Sequence, residues 1–196
     1  MLHYPKIPGS RNCPGGRCIA FEKYDGTNLH WEWDRDFSWH AFGTRRDEFT
    51  LTGSGIEAFE KTHAHLRQCI EVFETCLARG IEEVFRSNTY YREFRTLKVF
   101  TEFFGPNSFA GLHKPDDPKQ LVLFDVMAEP YGLIGPERLV ADFGHLSLAK
   151  VIHRGKLTGK FSEDVRRGKY GVKEGVVCKG GTGGPDHWMA KIKTHA

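Results

Sequence analysis

No stretch of this sequence approaches the ~18 consecutive apolar residues a membrane span needs, and Met1 to Lys6 lack the apolar run of a secretory leader. A soluble, cytoplasmic protein with no membrane partner is expected. Charge of one sign is scarce too: 28 Lys and Arg stand against 25 Asp and Glu, and a net charge of +3 makes no bulk electrostatic case for nucleic acid. Any polyanion site must be local. The five cysteines are odd in number, which excludes a disulfide framework and fits reduced thiols. Cys13 and Cys18 have no second Cys or His pair at zinc-finger spacing and read as ordinary thiols. His63 and His65 stand two apart in a helical pattern, where they face different ways, so they read as solvated and not as ligands of one metal. Internal repeats and low-complexity tracts are absent. At 196 residues the chain suits one buried core, so 1–196 reads as a single domain.

What is present is a change of period along the chain. The breaker-rich start, with Pro5, Pro8, Gly9, Pro14, Gly15 and Gly16, should cross the surface irregularly to about Arg17. From Cys18 to Phe42, Ile19, Phe21, Leu29, Trp31, Trp33, Phe37, Trp39 and Phe42 recur largely at period two, predicting two or three antiparallel strands. Ile56, Phe59, His63, Leu66, Ile70, Phe73 and Leu77 lie three or four apart. They predict one helix of roughly six turns over 55–79, with Gly80 as its C-cap. Leu97 to Phe104 and Leu121 to Met127 read as buried strands. Pro136 opens a second helical pattern through Leu139, Phe143, Leu146 and Val151, which Gly144 weakens. Glu174 to Lys179 and Trp188 to Lys193 read as closing strands joined by the glycine-rich run 180–185. The mixture is α+β around an antiparallel sheet.

Transfer of a nucleotidyl group to an amine needs an unprotonated lysine, cations for the triphosphate and carboxylates to hold a divalent metal. Three segments could supply these. Lys23-Tyr24-Asp25-Gly26-Thr27-Asn28 has a lysine at a strand end, an acid, a glycine and two small polar side chains, though alone it reads as a hairpin turn. Lys173-Glu174-Gly175-Val176-Val177-Cys178-Lys179 puts an acid at the head of a β-branched strand, with Glu174 and Lys179 on opposite faces unless a bulge intervenes. Lys191-Ile192-Lys193 alternates two ammonium groups about a buried Ile192, which alone would be a solvated edge strand.

Together and in this order the segments resemble the covalent nucleotidyltransferases: ATP-dependent RNA and DNA ligases and mRNA capping enzymes, with K-x-D-G early and K-x-K late. The resemblance runs from 23 to 193. It implies an antiparallel-sheet nucleotidyltransferase (ATP-grasp-like ligase adenylation) domain with flanking helices. Lys23 matches the adenylated lysine, and Asn28 matches the form similar to the phage and trypanosome-editing RNA ligases, where DNA ligases commonly have arginine. By the same resemblance Glu22 joins the nucleotide site, Arg45 or Arg46 lies near the lysine and nucleotide, and Glu102 holds the ribose. Leu121 or Phe124 packs on adenine, Glu174 works through the metal, and Lys179 is a second basic residue of that strand. Lys191 and Lys193 grip the phosphates. The implied cofactors are ATP, with AMP as a lysyl adduct, and Mg²⁺ or Mn²⁺.

An ordinary lysine is almost wholly ammonium at neutral pH, and neighbouring cations such as Lys191 and Lys193 would disfavour that form. The implied reaction adenylates Lys23, moves AMP to an RNA 5′-phosphate and seals it to a 3′-hydroxyl. Two alternatives are a ligase of DNA or RNA-DNA nicks, since Tyr24 gives a K-Y-D-G spelling, and a non-catalytic nucleotide- or nucleic-acid-binding module. Ligases of this kind usually carry a second domain after K-x-K, and here three residues follow Lys193. With no C-terminal accessory domain expected, a protein partner or a homo-oligomer could replace it. Trp31, Trp33, Trp39, Tyr90 and Tyr91 read as packing, and Arg86, Arg92, Arg95 and Lys98 as a solvated basic loop.

Overall fold

The computed structural model describes residues 3–195. Two antiparallel sheets carry the chain. One has four strands: β1 (Gly16–Lys23), β8 (Val151–Leu157), β9 (Gly175–Gly180) and β10 (Trp188–Lys193), in the order β10-β9-β1-β8. The other has six: β2 (Thr27–Asp34), β3 (Ser38–Thr44), β4 (Glu48–Thr50), β5 (Thr96–Phe104), β6 (Gln120–Ala128) and β7 (Gly132–Leu133), in the order β4-β3-β2-β5-β6-β7. Period-two alternation sorts each strand between two environments. In β2 and β5, Leu29, Trp31, Trp33, Leu97, Val99 and Phe103 join the main core with Phe59, Phe73, Leu77 and Phe85 from the helices. In the same strands Asn28 and Glu102 are partners, and they line a cavity. A second core under the smaller sheet joins Cys18, Ala20, Val176, Cys178 and Ile192 to Phe161 and Val165 of α5 (Gly159–Arg166).

Several expectations need correction. The long helix is broken. It comprises α1 (Gly53–Thr62), a 3₁₀ turn (Ala64–Leu66), α2 (Gln68–Phe73), a π-turn (Glu74–Ala78) and α3 (Arg79–Ser87). The break falls at His63, whose backbone (φ −130°, ψ 53°) is not helical. The apolar spacing survives because each piece buries its share against the same sheet: Phe59, Leu66, Ile70, Phe73 and Leu77. Gly80 is no C-cap but lies inside α3, where the Leu146 side chain approaches so closely that an added Cβ would come within 2.5 Å of it. The second helix, α4 (Pro136–Phe143), stops before Gly144, so Leu146 reaches the core from a loop and Val151 opens β8. The breaker-rich start does not merely cross the surface. Tyr4 is buried on Phe100 and Phe124, with ring centroids 4.9 and 5.1 Å away.

The aromatics behave as packing residues: Trp31, Trp33 and Tyr91 are buried. Arg86, Arg92 and Arg95 of the basic cluster are exposed, and Lys98 is not. Arg86 pairs with Glu82, Arg95 with Asp34 and Asp36, and Lys98 is buried against Glu32. All five cysteines are free thiols. No helix among the described residues is long and apolar enough to cross a membrane.

Candidate active site

Lys23 ends β1 and Thr27 opens β2, and these strands belong to different sheets. Asp25-Gly26 is therefore a crossing between sheets and not a hairpin turn. Gly26 is required there by close approach, since a Cβ would sit 2.5 Å from the Phe103 carbonyl oxygen. Its N–H instead donates to Glu102 Oε1 at 3.1 Å. The crossing opens onto a cavity of about 680 Å³. Of the residues singled out from the sequence, Glu22, Lys23, Asn28, Arg45, Arg46, Glu102, Phe124 and Lys179 line it.

Glu174, Lys191 and Lys193 stand outside that lining, but Glu174 is bound to it through Lys23. Lys23 Nζ lies 2.5 Å from Glu174 Oε1, and Lys193 Nζ lies 3.5 Å from the same oxygen. Glu174 reaches this position because Gly175 (φ +137°) crosses tightly against β10, where a Cβ would meet the Ile192 oxygen at 2.0 Å. Glu174 Oε2 is buried and has no hydrogen-bond partner. An orphaned anionic oxygen beside the candidate nucleophile fits a divalent cation. Lys191 is half-buried, and its N–H donates to the Pro8 oxygen at 2.9 Å.

Burial pushes the Glu102 carboxyl up to about 7, against the pull of Lys23 and the Gly26 N–H. Lys179 is 2% exposed, and its Nζ lies 2.7 Å from Asp125 Oδ2 and donates to the Phe124 oxygen at 2.5 Å. Burial lowers the Lys179 ammonium below the usual lysine range, opposed by Asp125. Tyr4 Oη donates to the same Asp125 oxygen at 2.5 Å, and burial followed by that carboxylate holds the phenol well above its ordinary range.

Leu121 and Phe124, the two candidates for packing on adenine, stand differently toward the cavity. Leu121 is 1% exposed in the main core and does not reach the cavity, which corrects its candidacy. Across β5, Thr101 is opposite Leu123 and Phe100 opposite Asp125, so Phe124 is the extra residue of a β-bulge. The bulge re-aims it to the cavity. Arg45 and Arg46 are both exposed at the rim, in a turn where Thr44 Oγ1 donates to Asp47 Oδ1 at 2.5 Å.

Some lining residues carried no signal in the sequence. Tyr4, Ile7, Phe21 and Val177 line the apolar part of the cavity. Their pattern there was that of ordinary core or loop. His63 and His65 also line it, and His63 is not a solvated histidine: its Nε2 lies 2.6 Å from Asp47 Oδ2. His65 is exposed, as expected, and the two rings are 6.2 Å apart.

This two-sheet α+β fold, with Lys23 at the junction of the sheets, is similar to that of solved ATP-dependent RNA ligases. An archaeal ATP-dependent RNA ligase superposes with a TM-score of 0.60 at 16% identity, over 99% of this chain and 48% of that one. The Naegleria gruberi RNA ligase with PPi gives 0.59 at 14%, over 99% and 56%. A mutant of that ligase with ATP and Mn gives 0.58 at 15%, over 97% and 56%. The chain spans about half the length of the ligases it matches. At such identities the shared feature is the fold. No family model and no curated protein matches the sequence.

Proposed function

We propose that this chain is an ATP-dependent RNA ligase that adenylates itself on Lys23. The observation that carries the reading is the meeting of Lys23 and Glu174 at 2.5 Å beside a cavity shared with Glu102, Arg45, Arg46 and Phe124. The Lys23 amine attacks the α-phosphorus of ATP, the P–O bond to pyrophosphate breaks, and a phosphoramidate to AMP forms. Lys23 must first lose a proton, and the nearest carboxylate is Glu174. Arg45 and Arg46 face the triphosphate, Glu102 accepts from the ribose hydroxyls, and Phe124 covers the adenine. Glu22 and Asn28 complete the nucleotide's polar contacts, Lys191 and Lys193 counter the phosphate charge, and Lys179 holds the Phe124 bulge. Glu174 would hold Mg²⁺ or Mn²⁺ through its unpartnered oxygen, and such an ion neutralises developing phosphate charge.

The AMP then passes to an RNA 5′-phosphate, and a 3′-hydroxyl displaces it to leave a phosphodiester. RNA is favoured over DNA by the resemblance at Asn28 and by the RNA ligases that share the fold. Intact-mass measurement after incubation with ATP and Mg²⁺ tests the first step: the parent chain should gain one AMP, removable by pyrophosphate, and Lys23→Ala should gain none. No adduct on the parent would sink the reading. Matched RNA and DNA nicks test the substrate, with faster sealing of a DNA 3′-hydroxyl counting against RNA.

A further inference from the structure

The segment 105–119 meets the cavity only at Ala110 and Gly111, yet it is held from several sides. Gly105 and Ser108 exchange both backbone hydrogen bonds, at 3.0 and 3.2 Å, and Phe109 and Leu112 do the same at 2.9 Å each. Buried Asp117 accepts from Asn107 N at 3.0 Å and Nδ2 at 3.2 Å. His113 is 7% exposed; its Nε2 is hydrogen-bonded to Thr27 Oγ1 at 2.8 Å, and its ring stacks on Phe103 and on His65. Thr27 belongs to the nucleophile segment, so the loop is tied to the active site itself.

A turn braced in this way still leaves two large apolar side chains in water. Phe109 and Leu112 are each 45% exposed. As the two members of a hydrogen-bonded antiparallel pair, their side chains share one face. The tip between them lines the same cavity as Arg45, Arg46 and His65, all exposed, and no ion pair engages either arginine among the described residues. The turn that carries the ring thus shares its cavity with two exposed guanidinium groups, which suits a nucleic-acid end, with a base on the ring and phosphates on the cations. Two side chains fall far short of the ~800 Å² per partner of a stable protein interface, whereas one base needs one ring.

We propose that Phe109 and Leu112 form a stacking platform for the unpaired terminal base of the RNA strand whose 5′-phosphate enters the cavity. This rests on the RNA-joining reading above and adds what is recognised: a single-stranded end, gripped through a base's face and therefore with little sequence preference.

Fluorescence anisotropy of the full chain with a short 5′-phosphorylated single-stranded RNA reads the platform, and adenylation of Lys23 by ATP alone serves as the control for folding. Phe109→Ala should weaken RNA binding by about tenfold, Leu112→Ala by less, and Phe109→Trp should bind like the parent, with AMP uptake unchanged in all three. An unchanged affinity in Phe109→Ala overturns the proposal, as does an equal loss in Phe109→Trp. A parent chain that takes AMP and binds no RNA also overturns it, while leaving nucleotidyl transfer standing. If Phe109→Ala changed the sedimenting species and not the RNA affinity, the surface would be a protein contact and the platform would be wrong.

Discussion

Lys23 Nζ and Glu174 Oε1 lie 2.5 Å apart, joining the end of the first strand to the entrance of the ninth across the junction of the two sheets. Both side chains are mostly covered, at 25% and 20% exposure, and Lys193 approaches the same oxygen. The pair sets a lysine, a carboxylate and a second ammonium around one point, as amine attack on a phosphorus requires.

Removing either partner should abolish chemistry while leaving nucleotide affinity largely intact. Lys23→Ala should form no lysyl-AMP, and Glu174→Gln should slow its formation by at least about a hundredfold. Adduct accumulation from labelled ATP measures both, with a binding titration of unreacted ATP alongside. Normal adenylation in Glu174→Gln would contradict the assignment.

Glu102 makes the stability of the fold depend on pH. Its folded carboxyl titrates at about 7, above its ordinary value of 4.5, so between these the folded state binds the extra proton. Stability is therefore lost as pH rises through that window. Glu102→Gln removes the titration, so its urea midpoint relative to the parent should rise from pH 5 to pH 8, while its KM for ATP increases. A pH-independent difference would show that burial does not perturb this group.

The buried Lys179 and Asp125 pair should be costly to break and cheap to replace. Asp125→Leu or Lys179→Met alone strands a buried charge and should cost about 3–5 kcal/mol. Lys179→Met with Asp125→Leu should recover much of that loss, though Tyr4 would still lack its acceptor. Urea unfolding at pH 7 of the two single variants and the double variant gives the comparison, and strict additivity would argue against coupling.

Leu121 and Phe124 should separate stability from nucleotide binding. Leu121→Ala opens a hole in the main core and should cost about 2–5 kcal/mol, with KM for ATP nearly unchanged in the folded fraction. Phe124→Ala should raise KM and cost less stability. Steady-state AMP transfer and thermal melts on the same samples decide, and the reverse pattern would put the base against Leu121.

The candidate site residues could be picked out because each stands as a particular functional group in a short local frame: a lysine, an acid and a glycine at 23–26, an acid before a β-branched strand at 174, alternating lysines at 191 and 193. Strand and helix periods were legible for the same local reason, and Leu97 to Phe104 and Leu121 to Met127 proved to be β5 and β6. What the period could not carry was where a turn sends the chain. Asp25-Gly26 has the composition of a hairpin, but β1 pairs with β8 and β9 while β2 pairs with β3 and β5, so the two enter separate sheets. Phe124 faces the cavity through an unpaired residue in a ladder, which depends on β5 and not on β6 alone. The long helix breaks at His63, whose ring finds Asp47, and it continues past Gly80 because Leu146 packs there. Tyr4 is buried because its hydroxyl meets Asp125 between the sheets. The sequence by itself determined which groups are available and the face each strand or helix can offer. Tertiary structure alone decided which faces meet, because sheet pairing, bulges and close backbone approaches take their energy from residues far away in the chain.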